Sequence, residues 1–262
     1  FIVHAEALTS VYADQSIPAR YRGATVLNKP KGFNEKLVAL TFDDGPDKNT
    51  TPAVLEILKS NNIKATFFVL GNSVRLHPDI TYRTALEGHV IGSHSWNHPA
   101  HTTKEGAKVQ IWQTAKTIYN ATGQWPSLYR PPYGIQKSEH NILAKSEGYA
   151  SVLWNVVGAD AVGKPTVASI IRDVLDNIKP GSIVLFHDSH GKKDTITALP
   201  TIISGLNKLG YKYVTVPEML RHWDAFIVAT EKAKAEKAAK AAAEKKENSA
   251  MLPQKLQTRK IN

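Results

Sequence analysis

Short apolar segments alternate with longer amphipathic segments from Lys36 onward, and no other feature of this sequence limits the possible folds as strongly. The apolar segments predict strands at residues 37–42, 65–70, 90–93, 127–130, 150–155, 182–187 and 212–216. The intervening segments predict helices near residues 50–60, 77–88, 103–121, 137–147, 166–178 and 195–209, and a further helix from Pro217. Because strands that alternate with helices form parallel sheets, the chain is predicted to be an α/β protein. Seven strands, each followed by a helix, favour a closed or nearly closed barrel over an open sheet.

Two segments of different character flank this region. Residues 1–35 show no sustained period, and we predict an irregular N-terminal arm there. Residues 224–262 are rich in alanine, lysine and glutamate, which predicts a solvent-exposed helical tail that extends the last barrel helix. The body between them, residues 36–223, is the predicted catalytic domain.

The charge of the chain is strongly basic, and the tail carries half of the excess. The net charge is +10, and residues 231–262 contain nine Lys/Arg and four Asp/Glu, a difference of +5. A basic tail suits an anionic wall polymer or membrane surface, although a merely solubilising excess explains it equally well. No nucleic-acid-binding motif is present, so nucleic acid is not an expected partner.

Composition also excludes several structural features. The chain has no cysteine, which excludes disulfides and cysteine-ligated zinc and suits an oxidising compartment. It has no run of 18 apolar residues, so no transmembrane segment is expected.

Two adjacent carboxylates, Asp43 and Asp44, stand where the strand at 37–42 should end, just before Gly45-Pro46. Because side chains alternate along a strand, the two can point in different directions, one toward a metal ion and the other toward a proton. A simple capped turn is the alternative, since Asp is common before Gly-Pro in loops.

Polar residues follow three more predicted strands. His94 and His98 are four residues apart, and with Asp44 they supply the two nitrogens and one oxygen of a catalytic zinc site. Arg130 can form an ion pair with a carboxylate and keep it ionised. The two prolines that follow have no backbone N–H, so Tyr133 is the next residue that can donate one, and this N–H is suited to an oxyanion. His187 is a candidate general acid. Seen alone, each motif is at least as compatible with a structural role.

Together these motifs resemble the NodB-homology polysaccharide deacetylases, carbohydrate esterase family 4. Four of the five motifs of that family are matched in order, over about residues 36–223, by residues 41–46, 94–98, 130–134 and 185–187. The resemblance implies a distorted (β/α) barrel of about seven parallel strands and a divalent ion, usually Zn²⁺, with Co²⁺ also possible. It implies that Asp44, His94 and His98 are the metal ligands. It also implies that Asp43 is the catalytic base, that Arg130 orients this base, and that His187 is the acid. Tyr133 would donate its backbone N–H to the oxyanion. We expect a substrate pocket lined by Pro132, Tyr133, Trp154 and Leu185.

The fifth motif departs from the family pattern. Trp154 and Asp160 fit it, but Val157 stands where an Asp partner of the acid is expected, and Ala161 where a Trp is expected. We therefore expect His187 to be less readily protonated, unless Asp160 or Asp188 replaces the missing charge. The absent Trp is expected to open or reshape one wall of the substrate groove.

The resemblance implies hydrolysis of N-acetyl groups from N-acetylglucosamine units, most simply those of peptidoglycan in a bacterial periplasm, cell envelope or secreted fraction. Chitooligosaccharides are the alternative substrate, and another C–N amide is a related one. A catalytically weakened glycan-binding pseudo-enzyme is a second hypothesis, based on Val157 and Ala161. A wall-associated structural protein that acts through its basic tail is a third.

Overall fold

The computed structural model describes residues 12–161 and 163–257. Two units make up the chain, of which the first ends at Arg221 and the second begins at His222. The strands are β1 Thr25–Val26, β2 Leu37–Asp43, β3 Thr66–Val69, β4 Val90–Ser93, β5 Leu128–Tyr129, β6 Ala150–Val152, β7 Val156–Val157, β8 Ser182–His187 and β9 Lys212–Tyr213. The helices are α1 Thr50–Ser60, α2 Gly71–Leu76, α3 Pro78–Leu86, α4 Lys104–Lys108, α5 Thr114–Thr122, α6 Glu139–Ser146, α7 Val167–Leu175, α8 Lys193–Lys208 and α9 Val216–Gln257. A π-helical turn, Val109–Gln113, joins α4 to α5, and 3-10 turns cover Ala19–Tyr21 and Pro132–Gly134.

The sheet is parallel throughout its described ladders, which confirms the predicted α/β class. Its strand order is β1-β6-β5-β4-β3-β2-β8-β7, and β9 pairs with the beginning of β2. Two of these strands were not predicted. β1 lies within the segment expected to be irregular, and β7 is separated from β6 although residues 150–155 were predicted as one strand.

The sheet curls into a distorted barrel that is left open at one seam. Only three residues, 153–155, connect β6 to β7, although these strands lie near opposite ends of the strand order. Because the four steps from Val152 to Val156 span at most about 14 Å, the two ends of the sheet must lie close together. No ladder joins β6 to β7 among the described strands. The structure is therefore a half-barrel of parallel strands with an unpaired seam, rather than a fully closed barrel.

Strand β2 occupies the centre of the sheet and is buried along its whole length. Val38, Leu40 and Phe42 belong to the main apolar core, where Phe42 stacks between Phe67 at 5.0 Å and Phe186 at 5.6 Å. The alternate residues of β2 point to the opposite face. That face carries polar side chains into the barrel interior, and it determines where the functional site lies.

The second unit begins at His222, and its described residues are the rest of α9, up to Gln257. Residues 231–245 are exposed, as expected for a helix composed mostly of alanine, lysine and glutamate. None of the described helices combines the length and the apolar composition that crossing a lipid bilayer requires.

Candidate active site

Four strands of the sheet end in or next to the polar residues that the sequence singled out. β2 ends at Asp43 and β8 at His187, and these two residues are paired in the parallel register. His94 directly follows β4, and Arg130 directly follows β5. The structure therefore brings the four predicted motifs together at the carboxyl ends of neighbouring parallel strands, where α/β folds build their sites.

Asp44, His94 and His98 form a compact cluster of potential metal ligands, with one ligand atom from each residue within 4.8 Å of the others. The Asp44 Oδ1 atom lies 3.5 Å from Nε2 of His94 and 3.6 Å from Nε2 of His98. This carboxylate oxygen is buried and accepts no hydrogen bond from the described residues. A buried carboxylate oxygen without a donor is costly, and a divalent cation would compensate it. The residues present thus fit a metal ion with an N₂O ligand set.

Hydrogen bonding and burial prepare His94 for this role. Its Nδ1 lies 2.7 Å from the carbonyl oxygen of Arg130, and since a carbonyl can only accept, Nδ1 carries the proton. Burial lowers the pKa of His94 to about 3, so the ring is neutral at physiological pH. The lone pair of Nε2 is then directed into the cluster. The ring of Tyr133 packs edge-on against His98, with centroids 4.4 Å apart, and restrains the second imidazole.

Left-handed backbone conformations bring these side chains together. Asp44, Ser95, His98 and Tyr133 have φ values of 74°, 73°, 61° and 57°. Such values are uncommon for residues other than glycine, and they cluster at functional sites. Asp44 therefore diverges from Asp43 because the chain leaves the strand in a left-handed turn, and not through strand alternation alone.

The loop from His94 to His98 is held by a residue that sequence analysis did not single out. Gln110, buried on the π-helical turn, accepts hydrogen bonds through Oε1 from the backbone N–H groups of Trp96, at 2.8 Å, and Asn97, at 3.3 Å. Its Nε2 donates to the Asn97 side chain at 2.9 Å. A π-helical turn often accompanies a functional site, but its presence could not be read from the helical pattern of residues 103–121.

We expect Gln110→Ala to weaken metal binding by about tenfold or more, because the loop between two ligands loses three hydrogen bonds. Gln110→Glu keeps the accepting oxygen and should lose less. Gln113→Ala, on the exposed side of the same turn, is the matched control. Competition titration with a chelator measures the affinity, and an unchanged value for Gln110→Ala would show that the loop holds itself in place.

Asp43 and Arg130 form a buried ion pair inside the barrel. Nη1 of Arg130 donates to Oδ1 of Asp43 at 2.7 Å and to Oγ1 of Thr41 at 2.8 Å. The guanidinium lies over the Phe68 ring at 4.1 Å and near Trp154 at 5.6 Å. Burial raises the pKa of Asp43, and the positive charge of Arg130 opposes this rise only in part. Asp43 is thus a fixed carboxylate with a raised proton affinity, which suits a general base.

Arg130 also spans the open seam of the barrel. Its Nε donates to the carbonyl of Val152 at 3.1 Å, and Nη2 donates to the carbonyl of Leu153 at 3.4 Å. These carbonyls lie at the end of β6 and at the start of the connection to β7. The same guanidinium therefore satisfies the unpaired backbone of the seam and orients the carboxylate of β2.

His187 has a carboxylate partner, which corrects the expectation that it lacks one. Nδ1 of His187 lies 2.7 Å from Oδ1 of Asp160, and the His187 backbone N–H donates to Oδ2 at 2.8 Å. Thr195 Oγ1 also donates to Oδ2, at 2.7 Å. Burial disfavours the protonated form of His187, but the hydrogen bond and charge of Asp160, together with the charges of Asp43 and Asp44, outweigh it, so its pKa is raised. The partner is thus Asp160, which the sequence offered only as one of two substitutes.

Val157, where the partner was expected, instead lies partly exposed on β7. Asp160 lies in the loop that follows β7, directly after Ala159, whose φ of 52° is left-handed. A two-residue strand followed by such a turn carries no sequence period. Motif spacing alone therefore could not show which position faces the imidazole. The other proposed substitute, Asp188, bonds instead to Thr51 at 2.6 Å.

The four residues predicted to line the substrate pocket differ in exposure. Pro132 and Leu185 are buried, Trp154 is half-buried and Tyr133 is exposed. A cavity of about 440 Å³ opens beside the ligand cluster, with Asp44 and His98 in its wall. Its lining, as far as the chain is described, includes none of the four predicted pocket residues. It includes Asp47, His77 and His190, which sequence analysis had not assigned to the site.

Comparison with known proteins agrees with this geometry. The family model for polysaccharide deacetylase matches residues 31–152. The peptidoglycan-N-acetylglucosamine deacetylase PgdA of Listeria monocytogenes is 41% identical over 209 residues, which are 78% of this chain and 43% of that protein. The chain thus spans less than half the length of this curated relative.

Solved structures show the same similarity. The crystal structure of the Bc1960 peptidoglycan N-acetylglucosamine deacetylase is 38% identical, with a TM-score of 0.70, and the match covers 75% of this chain and 92% of that one. BA3943 of Bacillus anthracis, described as a pseudoenzyme of carbohydrate esterase family 4, is 29% identical, with a TM-score of 0.68 and coverage of 74% and 69%. The fold is therefore shared by catalytic and non-catalytic proteins, and the residues of the site must distinguish between them.

Proposed function

This chain belongs to the polysaccharide deacetylase family, carbohydrate esterase family 4, and from this premise we propose that it hydrolyses N-acetyl groups of N-acetylglucosamine units in a glycan and releases acetate. One observation carries the proposal. The Asp44–His94–His98 cluster lies beside Asp43, whose carboxylate is paired with Arg130 and whose Oδ2 is 3.7 Å from Nε2 of His94. Asp43 is in turn paired in the sheet register with His187, whose imidazole is paired with Asp160. A ligand set with a base and an acid beside it is what amide hydrolysis requires.

The ligand cluster would hold a divalent ion, for which we propose Zn²⁺, with Co²⁺ as another ion that fits two imidazoles and a carboxylate. When bound, such an ion supplies a Lewis acid that polarises the amide carbonyl and makes water more acidic. The chain contributes the orientation of its own ligands, through the Arg130 carbonyl at His94 and through Gln110 at the loop.

Asp43 is the proposed base and takes a proton from the attacking water. Arg130 holds one carboxylate oxygen, Oδ1, at 2.7 Å, which leaves Oδ2 to accept the proton. The backbone N–H of Tyr133, after two prolines, is the proposed donor to the oxyanion that forms at the carbonyl oxygen.

His187 is the proposed acid and donates a proton to the departing amine nitrogen. Its Nδ1 is engaged with Asp160, so Nε2 is the atom available for the transfer. The raised pKa keeps a larger fraction of the imidazole protonated near neutral pH. Pro132, Tyr133, Trp154 and Leu185 remain the residues proposed to wall the sugar site.

Peptidoglycan is the proposed substrate, with chitooligosaccharides as the alternative. This choice places the protein in the cell envelope, the periplasm or the secreted fraction, where its basic tail can contact anionic wall or membrane surfaces. We retain 36–223 as the proposed catalytic domain, with an arm at 1–35 and a tail at 224–262.

Acetate release tests the proposal directly. The full chain, loaded with Zn²⁺, should release acetate from peptidoglycan or from N-acetylated chitooligosaccharides, and chelation should lower the rate by more than about tenfold. Adding Zn²⁺ or Co²⁺ back should restore it. A rate that chelation leaves unchanged would contradict a metal-dependent reaction, and acetate release from none of these glycans would contradict the deacetylase proposal.

The pseudo-enzyme alternative rested on the altered positions Val157 and Ala161, both of which are exposed. The proposed acid has a carboxylate partner despite Val157, because Oδ1 of Asp160 lies 2.7 Å from Nδ1 of His187. We therefore give the alternative no separate proposal. Binding of glycan by the metal-loaded protein without any acetate release would revive it.

A further inference from the structure

Aromatic and cationic side chains alternate along the outer face of the helical segment formed by α4, the π-helical turn and α5. Lys108, Trp112, Lys116 and Tyr119 are spaced four, four and three residues apart, which places them on one face of a helix. Trp112 is 47% exposed and Tyr119 is 41% exposed. Exposed large aromatic side chains that occur together usually mark a binding surface.

A second tryptophan completes this surface. Trp125, in the loop between α5 and β5, is 58% exposed, and its ring stacks on Tyr119 with centroids 4.5 Å apart and 16° between the ring planes. The Nζ atom of Lys108 lies 5.8 Å from the Trp112 ring. These contacts hold flat aromatic faces in place before any ligand arrives, which reduces the entropy lost on binding.

Trp112 and Trp125 line a groove. Its volume is about 680 Å³, larger than the cavity beside the ligand cluster, and its lining includes Trp112, Lys116, Trp125, Arg22, Glu147 and Tyr149. Arg22 and Lys116 are exposed cations, against the single carboxylate of Glu147. The groove therefore combines apolar faces with charged hydrogen-bonding groups and a small excess of positive charge.

The groove lies at the opposite end of the sheet from the proposed active site. Trp125 belongs to the loop that leads into β5, and Glu147 and Tyr149 belong to the loop that leads into β6. These positions are at the amino ends of parallel strands, whereas Asp43 and His187 are at carboxyl ends. A ligand in the groove is consequently not the molecule undergoing reaction.

We propose that this groove, defined by Trp112, Trp125, Arg22, Lys116 and Glu147, binds a second strand of a carboxylate-bearing N-acetylated glycan. The proposal rests on the function proposed above. The C–H faces of pyranose rings are flat and apolar, and they pack well on indole rings such as those of Trp112 and Trp125. Sugar hydroxyl and acetamido groups can hydrogen-bond to Arg22 and Glu147, and carboxylates of the polymer match the two cations.

Binding of this kind would act only on a polymer network. A wall glycan presents many strands, so a second contact raises the effective concentration of the enzyme at the polymer. A short soluble oligomer that occupies the active site gains nothing from it. The groove therefore should change retention on the polymer and leave turnover of short substrates unchanged.

The test uses the full chain loaded with Zn²⁺ and purified peptidoglycan sacculi in a sedimentation assay. Trp125→Ala and Trp112→Ala should each raise the apparent Kd for sacculi by about tenfold. Tyr82→Ala, which removes an aromatic ring of similar exposure, 42%, from another helix, should leave it unchanged. All four proteins should have the same kcat/KM for soluble tri-N-acetylchitotriose, which also shows that the variants are folded.

A second comparison separates the contribution of aromatic stacking to binding from the contribution of positive charge. The double variant Arg22→Ala, Lys116→Ala should lose more affinity for sacculi than for chitin, which lacks carboxylates. Sacculi affinities unchanged in both tryptophan variants would overturn the proposal. So would a parallel loss of kcat/KM on the trimer, or tryptophan-dependent binding of a single-stranded oligonucleotide in preference to sacculi. Failure of the deacetylase proposal is seen separately, as a wild-type protein that releases no acetate.

Discussion

Asp43→Asn should lower the rate of acetate release by about 10²–10⁴-fold while the protein still binds its metal ion. Asn has nearly the same shape as Asp, and its side-chain oxygen can still accept the hydrogen bond that Arg130 donates at 2.7 Å. What the substitution removes is an atom able to take a proton from water. Steady-state acetate assays at saturating glycan, together with the metal content of the purified variant, measure the two effects independently.

Asp47→Asn is the matched control for this experiment. Asp47 lines the neighbouring cavity and accepts hydrogen bonds from the backbone N–H groups of Asn49 and Thr50, a role that Asn can also fill. Its rate should remain close to that of the wild type. If Asp43→Asn retained the wild-type rate with full metal content, another group would have to be the base.

Asp160→Asn is the second substitution with a large expected effect, about 10²-fold on kcat at alkaline pH. The hydrogen bond and charge of Asp160 raise the pKa of His187 against the opposing effect of burial. The acid is active when protonated, so activity is lost as the pH rises through that pKa. Without the negative charge the pKa falls, and the alkaline limb of the pH–rate profile should move to lower pH. The kcat profile measured from pH 5 to about 9 records this shift.

Val157→Asp distinguishes this arrangement from the one that motif spacing had suggested. Because Val157 lies partly exposed on β7 and Asp160 already occupies Nδ1 of His187, the added carboxylate should leave the pH profile unchanged. An upward shift of the pH profile with Val157→Asp would contradict this arrangement, and so would an unshifted alkaline limb with Asp160→Asn. Either result would mean that a contact other than Asp160 sets the pKa of His187, or that His187 is not the acid.

Prediction from sequence succeeded where a continuous apolar run marked a strand. β2 and β8 are continuous apolar runs between turn residues, and their ends were located to within one residue. Polar residues directly after such runs, among them Asp43 and His187, could therefore be placed at one edge of a parallel sheet. The three predicted metal ligands lie together for the same reason.

Prediction failed where conformation depended on contacts distant in sequence. β1 and β7 are two residues long and exist because neighbouring strands offer hydrogen bonds to them. The pairing of Asp160 with His187 depends on a left-handed turn, and the role of Gln110 depends on a π-helical turn. None of these features has a period or a composition that a pattern search can detect.

The position of Arg130 ties catalytic competence to completion of the fold. Its guanidinium bonds to carbonyls at the barrel seam and to the proposed base in the same arrangement. A chain in which the seam carbonyls have not yet met Arg130 lacks an oriented carboxylate, even if its predicted metal ligands are already assembled. Partly unfolded molecules would then lack a working base, because the contacts that hold the seam belong to the same guanidinium that orients Asp43.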